Sequence, residues 1–188
     1  MKKFFLKGNI LCALPQLKDI FFSKSLIYLT HHSKEGAVGL ILNYKIMNIK
    51  GVDLFDKLNI KSNGSNSNIL FPFHIGGPLN QNNGFILHSN DYKNKSTMKI
   101  SNNVCMTVST DILIDIAQGK GPKDFFISLG YSGWGPGQLE DEIKNNSWIN
   151  LNEQMDLLFE KDTEDKWNNA IKRTGIDFSK FLNLSGSA

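Results

Sequence analysis

The residues in this chain that could do chemistry are few and interleaved with glycine. Gly130-Tyr131-Ser132-Gly133-Trp134 follows an apolar run, as a nucleophile elbow follows its strand. That elbow needs glycine two residues after the serine, and Trp134 stands there. All four histidines, at 31, 32, 74 and 88, precede Ser132, so the hydrolase order of serine, acid and histidine cannot be assembled. The segment reads instead as a tight glycine turn, with Gly130 and Gly133 in backbone conformations closed to other residues and Trp134 packed over it. Gly76-Gly77 lacks the Lys-Ser/Thr of a phosphate loop, and Gly133-x-Gly135-x-Gly137 has the wrong spacing for a dinucleotide fingerprint. A helix opening near Pro136 would still aim its free N–H groups at that turn, at an anion or at its own Glu140 or Asp141.

His88 closes an apolar run beside Ser89-Asn90-Asp91. An ordinary pKa of about 6.5 would suit a proton carrier, and the competing expectation is a histidine hydrogen-bonded at a strand end. His31 and His32 are neighbours in a loop and would point to opposite sides of an extended chain. Without Cys-x-x-Cys, His-x-x-x-His or clustered carboxylates, no metal site and no cofactor are expected. Glu140, Asp141 and Glu142 read as a solvated helix face, with Glu140 paired to Lys144 one turn on and Glu142 pointing away from Glu140.

The elements that must position these residues follow from periodicity. Apolar runs predict strands over 10–14, 25–30, 37–42, 104–108 and 125–129, with 25–30 and 37–42 forming a hairpin. Residues 73–75 and 84–88 read as a second hairpin around Gly76-Gly77-Pro78. Helices are expected over 52–58, 111–118, 138–144 and 163–173, the last with Trp167, Ala170 and Ile171 on one face. Residues 148–151 and 155–159 read as short strand or turn pieces. The Asn, Ser and Gly run over 61–68 predicts a flexible loop, and 183–188 a tail. Hairpins beside single helices, without regular alternation, predict α+β with a largely antiparallel sheet.

Four segments, taken together in order and spacing, resemble the YqgE/AlgH family of small bacterial proteins. They are Ala13-Leu14-Pro15 through Gly36-Ala37-Val38-Gly39-Leu40-Ile41-Leu42-Asn43; Gly76-Gly77-Pro78 with Gly84-Phe85-Ile86-Leu87-His88; Leu129-Gly130-Tyr131-Ser132-Gly133-Trp134-Gly135 running into Gly137-Gln138-Leu139-Glu140 and Glu142; and Trp148 through Leu157, Phe159, Trp167 and Gly175-Ile176-Asp177. The resemblance covers nearly the whole chain. It implies one domain over 1–188, with a bent, bifurcated sheet curled into a pseudo-barrel and helices packed around it. One family member takes its name from a proposed role in transcriptional regulation of alginate production, and the family carries no agreed reaction, cofactor or ligand. The chain departs from the family pattern at Tyr44-Lys45, where a basic residue and proline are common, and in lacking an arginine before Gly84.

Composition narrows the function classes. The chain has 188 residues, one domain's worth, with 40% apolar and 21% charged residues, which excludes intrinsic disorder. No apolar run approaches the ~20 residues of a membrane span, so a cytoplasmic protein is expected. A net charge of +3 with a single arginine, Arg173, disfavours direct nucleic-acid binding. Cys12 and Cys105 sit in apolar runs and read as buried thiols. The leading expectation is a non-catalytic binding or regulatory protein that recognises a protein or small molecule near the glycine turns. Its candidate ligand-binding residues are Asn43, Gly76, Gly77, His88, Gly130, Gly133, Trp134, Gln138 and Glu140. The alternative is an enzyme that uses His88 and Glu140 in one pocket there.

Overall fold

A computed structural model describes residues 5–61, 69–159 and 165–176. Apart from Lys61, the loop expected over 61–68 and the tail expected over 183–188 lie outside these residues. In chain order the elements are β1 (Ile10–Ala13), β2 (Leu26–Ser33), β3 (Gly36–Ile41), β4 (Lys45–Lys50), α1 (Gly51–Lys57), β5 (Leu70–Ile75), β6 (Leu79–Ser89), β7 (Thr97–Lys99), β8 (Val104–Thr107), α2 (Asp111–Ala117), β9 (Phe125–Trp134), α3 (Gln138–Lys144), β10 (Trp148–Leu151), α4 (Met155–Phe159) and α5 (Lys166–Arg173). They form one α+β domain. Its strongly curled, mostly antiparallel sheet runs β10-β1-β2-β3-β9-β6-β8-β7 and stays open as a half-barrel, with β4 and β5 as a side branch.

The continuous apolar runs arise because the sheet is buried on both faces. On one face Ile10, Cys12, Leu26, Tyr28, Leu40, Leu87 and Phe126 pack with Leu157 and Leu158 of α4 and Ala170 of α5. Side chains of alternate parity face the other way. There Leu11, Ile27, Leu29 and Ile41 meet Leu139 of α3, while Phe71, Ile86 and Ile127 meet α1 and α2. Trp167 of α5 packs at the edge of the first face and donates its indole N–H to the Ala13 carbonyl at 2.8 Å. Cys12 and Cys105 are buried free thiols, outside any disulfide.

β9 organises the branching. One edge pairs with β6. The other edge is divided: Ile127 to Leu129 run parallel to β5, and Ser132 to Trp134 run antiparallel to β3. Gly76 sits where the two partners separate. Its N–H donates to the Leu129 carbonyl at 2.8 Å, and its carbonyl accepts the Ile41 N–H at 3.0 Å and the Ser132 hydroxyl at 3.1 Å. A Cβ at Gly76 would lie 2.0 Å from Ser128 Oγ and 2.3 Å from the Gly130 carbonyl oxygen. Gly130, at φ +71°, supplies the kink that lets β9 change partners.

Several expectations change accordingly. Residues 73–75 and 84–88 do not form a hairpin, because β9 lies between β5 and β6 and hydrogen-bonds to both. The segment 130–134 is no turn but the second half of β9, with Gly133 in register with Val38. His31 and His32 belong to β2, which bulges between Leu29 and His31 and continues to Ser33. Residues 155–159 form a helix, since Leu157 and Leu158 both reach the core. β4 has too polar a sequence to be foreseen, and it is held by pairing with β5.

The fork predicts a ranking of glycine substitutions. Gly76→Ala forces a methyl against backbone and should cost about 3 kcal/mol, whereas at exposed Gly133 the nearest obstacle is the movable Leu79 side chain at 3.0 Å and the cost should stay below about 1 kcal/mol. Urea midpoints of the two variants check the order.

Candidate functional site

Six of the nine candidate residues serve three structural tasks. Gly76, Gly77 and Gly130 build the fork, where Gly77 packs against the Tyr131–Ser132 backbone. Asn43 bolts a loop to the sheet: its Oδ1 accepts the Leu26 N–H at 2.8 Å, and its Nδ2 donates to the Lys24 carbonyl at 2.9 Å. Lys24 has φ +57°, so the amide stabilises a turn that a lysine adopts reluctantly.

Trp134 and Gln138 belong to a clamp around Glu142. One carboxylate oxygen accepts the indole N–H of Trp134 at 2.8 Å and that of Trp148 at 2.7 Å, and the other accepts Gln138 Nε2 at 2.9 Å. Gln138 in turn accepts the Gly135 N–H at 3.0 Å. The two indoles meet edge to face at 6.0 Å, with Phe22 against both. Sequence reasoning placed Glu142 on a solvated face. Its spacing of four from Gln138 and the tryptophans eight residues before it and six after it were the available signal, but nothing in the chain shows that Trp148 folds back beside Trp134. Lys144 pairs with Asp141 at 2.9 Å rather than with Glu140.

His88 and Glu140 are not brought together. His88 is fully buried; its Nδ1 donates to the Ser89 carbonyl at 2.9 Å, and its Nε2 accepts the Thr107 hydroxyl at 2.9 Å. Burial pushes its pKa down, partly offset by the Ser89 carbonyl and by Asp91. It is in register with Phe125, the first residue of β9. Glu140 lies beyond Trp134, the last residue of β9, in α3, where its carboxylate approaches His32 Nε2 at 3.6 Å. His32 accepts the Leu6 N–H at Nδ1, so its proton is on Nε2, toward Glu140. The two side chains thus stand near opposite ends of β9, each held by different partners.

A cavity of about 570 Å³ lies elsewhere, in the size range of small-molecule sites. Lys45, Asn48, Pro72, His74 and Phe126 line it from β4, β5 and β9, Ile116 with the loop 119–124 borders it, and Leu158 and Phe159 of α4 close another side. Pro72 is in register with Asn48, and His74 with Lys45, so these side chains share one face of the branch. None of the sequence-stated candidates lines this cavity. His74 stacks on Phe126 at 4.6 Å and donates from Nδ1 to the Leu42 carbonyl at 2.9 Å, which leaves Nε2 unprotonated. Its pKa is pushed down to about 4, first by burial and then by the Lys166 charge. Among the described residues no three His, Cys, Asp or Glu side chains converge as a metal centre requires, and no helix is long and apolar enough to cross a membrane.

Two predictions follow from these environments. An unfolded histidine takes up its proton near pH 6.5, whereas His74 resists until about 4, so stability is full above pH 6.5 and falls by about 3 kcal/mol as pH drops to 4. His88 adds to the loss with the same sign. His74→Asn, which keeps a donor for Leu42, should flatten the slope of unfolding free energy against pH in that window. Glu142→Leu leaves two indole N–H groups unpaired and should cost about 2–4 kcal/mol with an altered tryptophan emission, whereas Glu142→Gln should lose about half as much, both read by urea unfolding.

Comparison with known proteins agrees with this architecture. The AlgH-like family model, DUF179, matches residues 10–179. A UPF0301 protein of Bradyrhizobium diazoefficiens is 40% identical over 98% of this chain and 89% of its own length, and one of Brucella melitensis is 38% identical over 98% and 94%. The solution structure of the AlgH protein from Pseudomonas aeruginosa superposes with a TM-score of 0.74 at 32% identity, covering 100% of this chain and 97% of that one. A Corynebacterium diphtheriae crystal structure shares the fold at TM-score 0.71 and 19% identity, over 92% of this chain and 89% of that one. With its fork, its curled sheet and its match along nearly the whole length, the chain belongs to the AlgH-like UPF0301 family.

Proposed function

We propose that this protein works by binding rather than by catalysis, and that its recognition site is the cavity between the β4–β5 branch, the 119–124 loop and α4. The observation that carries this reading is the cavity itself: it combines a few polar groups with an apolar wall, as small-molecule sites do. The chemistry-bearing residues of the motifs support the same view, because their polar atoms are hydrogen-bonded within the fold. Regulation is the natural output of such a module, with occupancy of the cavity altering a protein contact at the neighbouring surface. Direct nucleic-acid binding is not part of this reading, given +3 net charge and one arginine. The expected location is the cytoplasm.

The test is a thermal-shift screen against a metabolite library, followed by product analysis. A hit at 100 times its Kd should raise Tm by about 5–10 °C and be recovered unchanged. Leu70→Trp, at an exposed cavity-lining position, should abolish the shift by filling the mouth without disturbing the core. Conversion of the hit would make the protein an enzyme, and a shift that survives Leu70→Trp would move the site elsewhere.

A further inference from the structure

The cavity's lining also restricts what it can hold, and this inference rests on the binding reading above. Part of its wall is aromatic and closed: His74 and Phe126 stack face to face at 4.6 Å and 25°, and Phe159 meets Phe126 at 58°. Pro72, Leu158 and Phe159 line the cavity as apolar surface. Such a surface favours an apolar group. The charged groups in the lining are Lys45, Lys123 and Asp124, two cations against one carboxylate. Lys45 stands in register with His74 on the neighbouring strand. The ion pairs among the described residues include Lys34–Glu35, Lys144–Asp141 and Arg173–Asp156, and neither cavity lysine takes part in them.

The end of the cavity nearest the stacked pair therefore carries the Lys45 charge. His74 itself stays neutral, so it adds an acceptor rather than charge. Asp124 follows Lys123 directly in the loop before β9, and neither is in register with His74 or Lys45.

We infer that the cavity takes a small organic anion with an apolar body, the body lying against Pro72, Leu158 and Phe159 and the carboxylate or phosphate meeting Lys45. A ligand of this class matches the apolar wall and the lysine in the same lining. A purely inorganic anion would leave the apolar wall uncovered, and a cation would face Lys45 at close range.

Calorimetry on the full chain with three matched probes, 2-naphthoate, 2-naphthylmethanol and 2-naphthylmethylammonium, together with inorganic phosphate and 2-naphthyl phosphate, tests this. Naphthoate or naphthyl phosphate should bind at least tenfold more tightly than the alcohol, the amine or phosphate alone. Which of the two anions is preferred tells a carboxylate from a phosphate ligand. Lys45→Met should remove most of that preference while leaving Tm unchanged within a few degrees, and Leu70→Trp should block every probe. Equal binding of acid and alcohol, blocked by Leu70→Trp, would overturn the anionic class and keep the cavity as the site. Tighter binding of the amine would overturn it in favour of Asp124. Phosphate alone binding as well as the aryl anions would overturn the apolar body. Failure of all probes while a library hit still occupies the cavity would overturn this inference alone, and failure of every ligand would overturn the binding reading with it.

Discussion

The structure depends on one constraint: two strands of different direction must share a single edge of β9. β5 meets the first half in parallel and β3 meets the second half antiparallel. The junction closes only if a backbone with no side chain crosses it, and Gly76 does so with three hydrogen bonds that link β3, β5 and β9. Gly130, one residue beyond the parallel pairing, turns the strand toward its second partner. From that crossing the main sheet curls around α4 and α5, while β4 and β5 diverge as a branch. The cavity lies between this branch and α4.

The chemical-looking motifs have structural partners within the fold. A serine beside two glycines resembles a nucleophile, but Ser132 donates its hydroxyl to the Gly76 carbonyl, in a buried site where that carbonyl needs a partner. Two buried indole N–H groups need an acceptor, and Glu142 supplies it from α3, between Trp134 of β9 and Trp148 of β10. His88 satisfies both ring nitrogens within the fold. The cavity residues, by contrast, include lysines whose charge is not spent on the ion pairs of the described residues.

Much of the fold was legible because both-face burial writes itself as continuous apolar runs, as in Ile10 to Ala13 and Val104 to Thr107, and because the helices carry clear stops. α3 was readable from Pro136 through Lys144, and α5 from the face formed by Trp167, Ala170 and Ile171. The β5–β6 hairpin misled because local sequence favours adjacent pairing, while β9, some 40 residues later, intervenes through long-range hydrogen bonds. β4 was invisible because Lys45, Asn48 and Lys50 mark it as polar, and its strand character comes from its partner. The cavity was invisible for the same reason: Lys45, Pro72, His74, Phe126 and Phe159 come from segments whose proximity no local pattern encodes.

Native-state hydrogen exchange at the fork tests the central claim most directly. If the Gly76 crossing holds the fold together, the amides of Ile41 and Gly76, which donate to Gly76 and Leu129, should exchange only through global unfolding, with the same free energy as Leu29 and Ile127 in the core strands. Exchange of those two amides through a cheaper local opening, while β2 and β9 remain protected, would contradict the account and make the fork an ornament on an independently stable sheet.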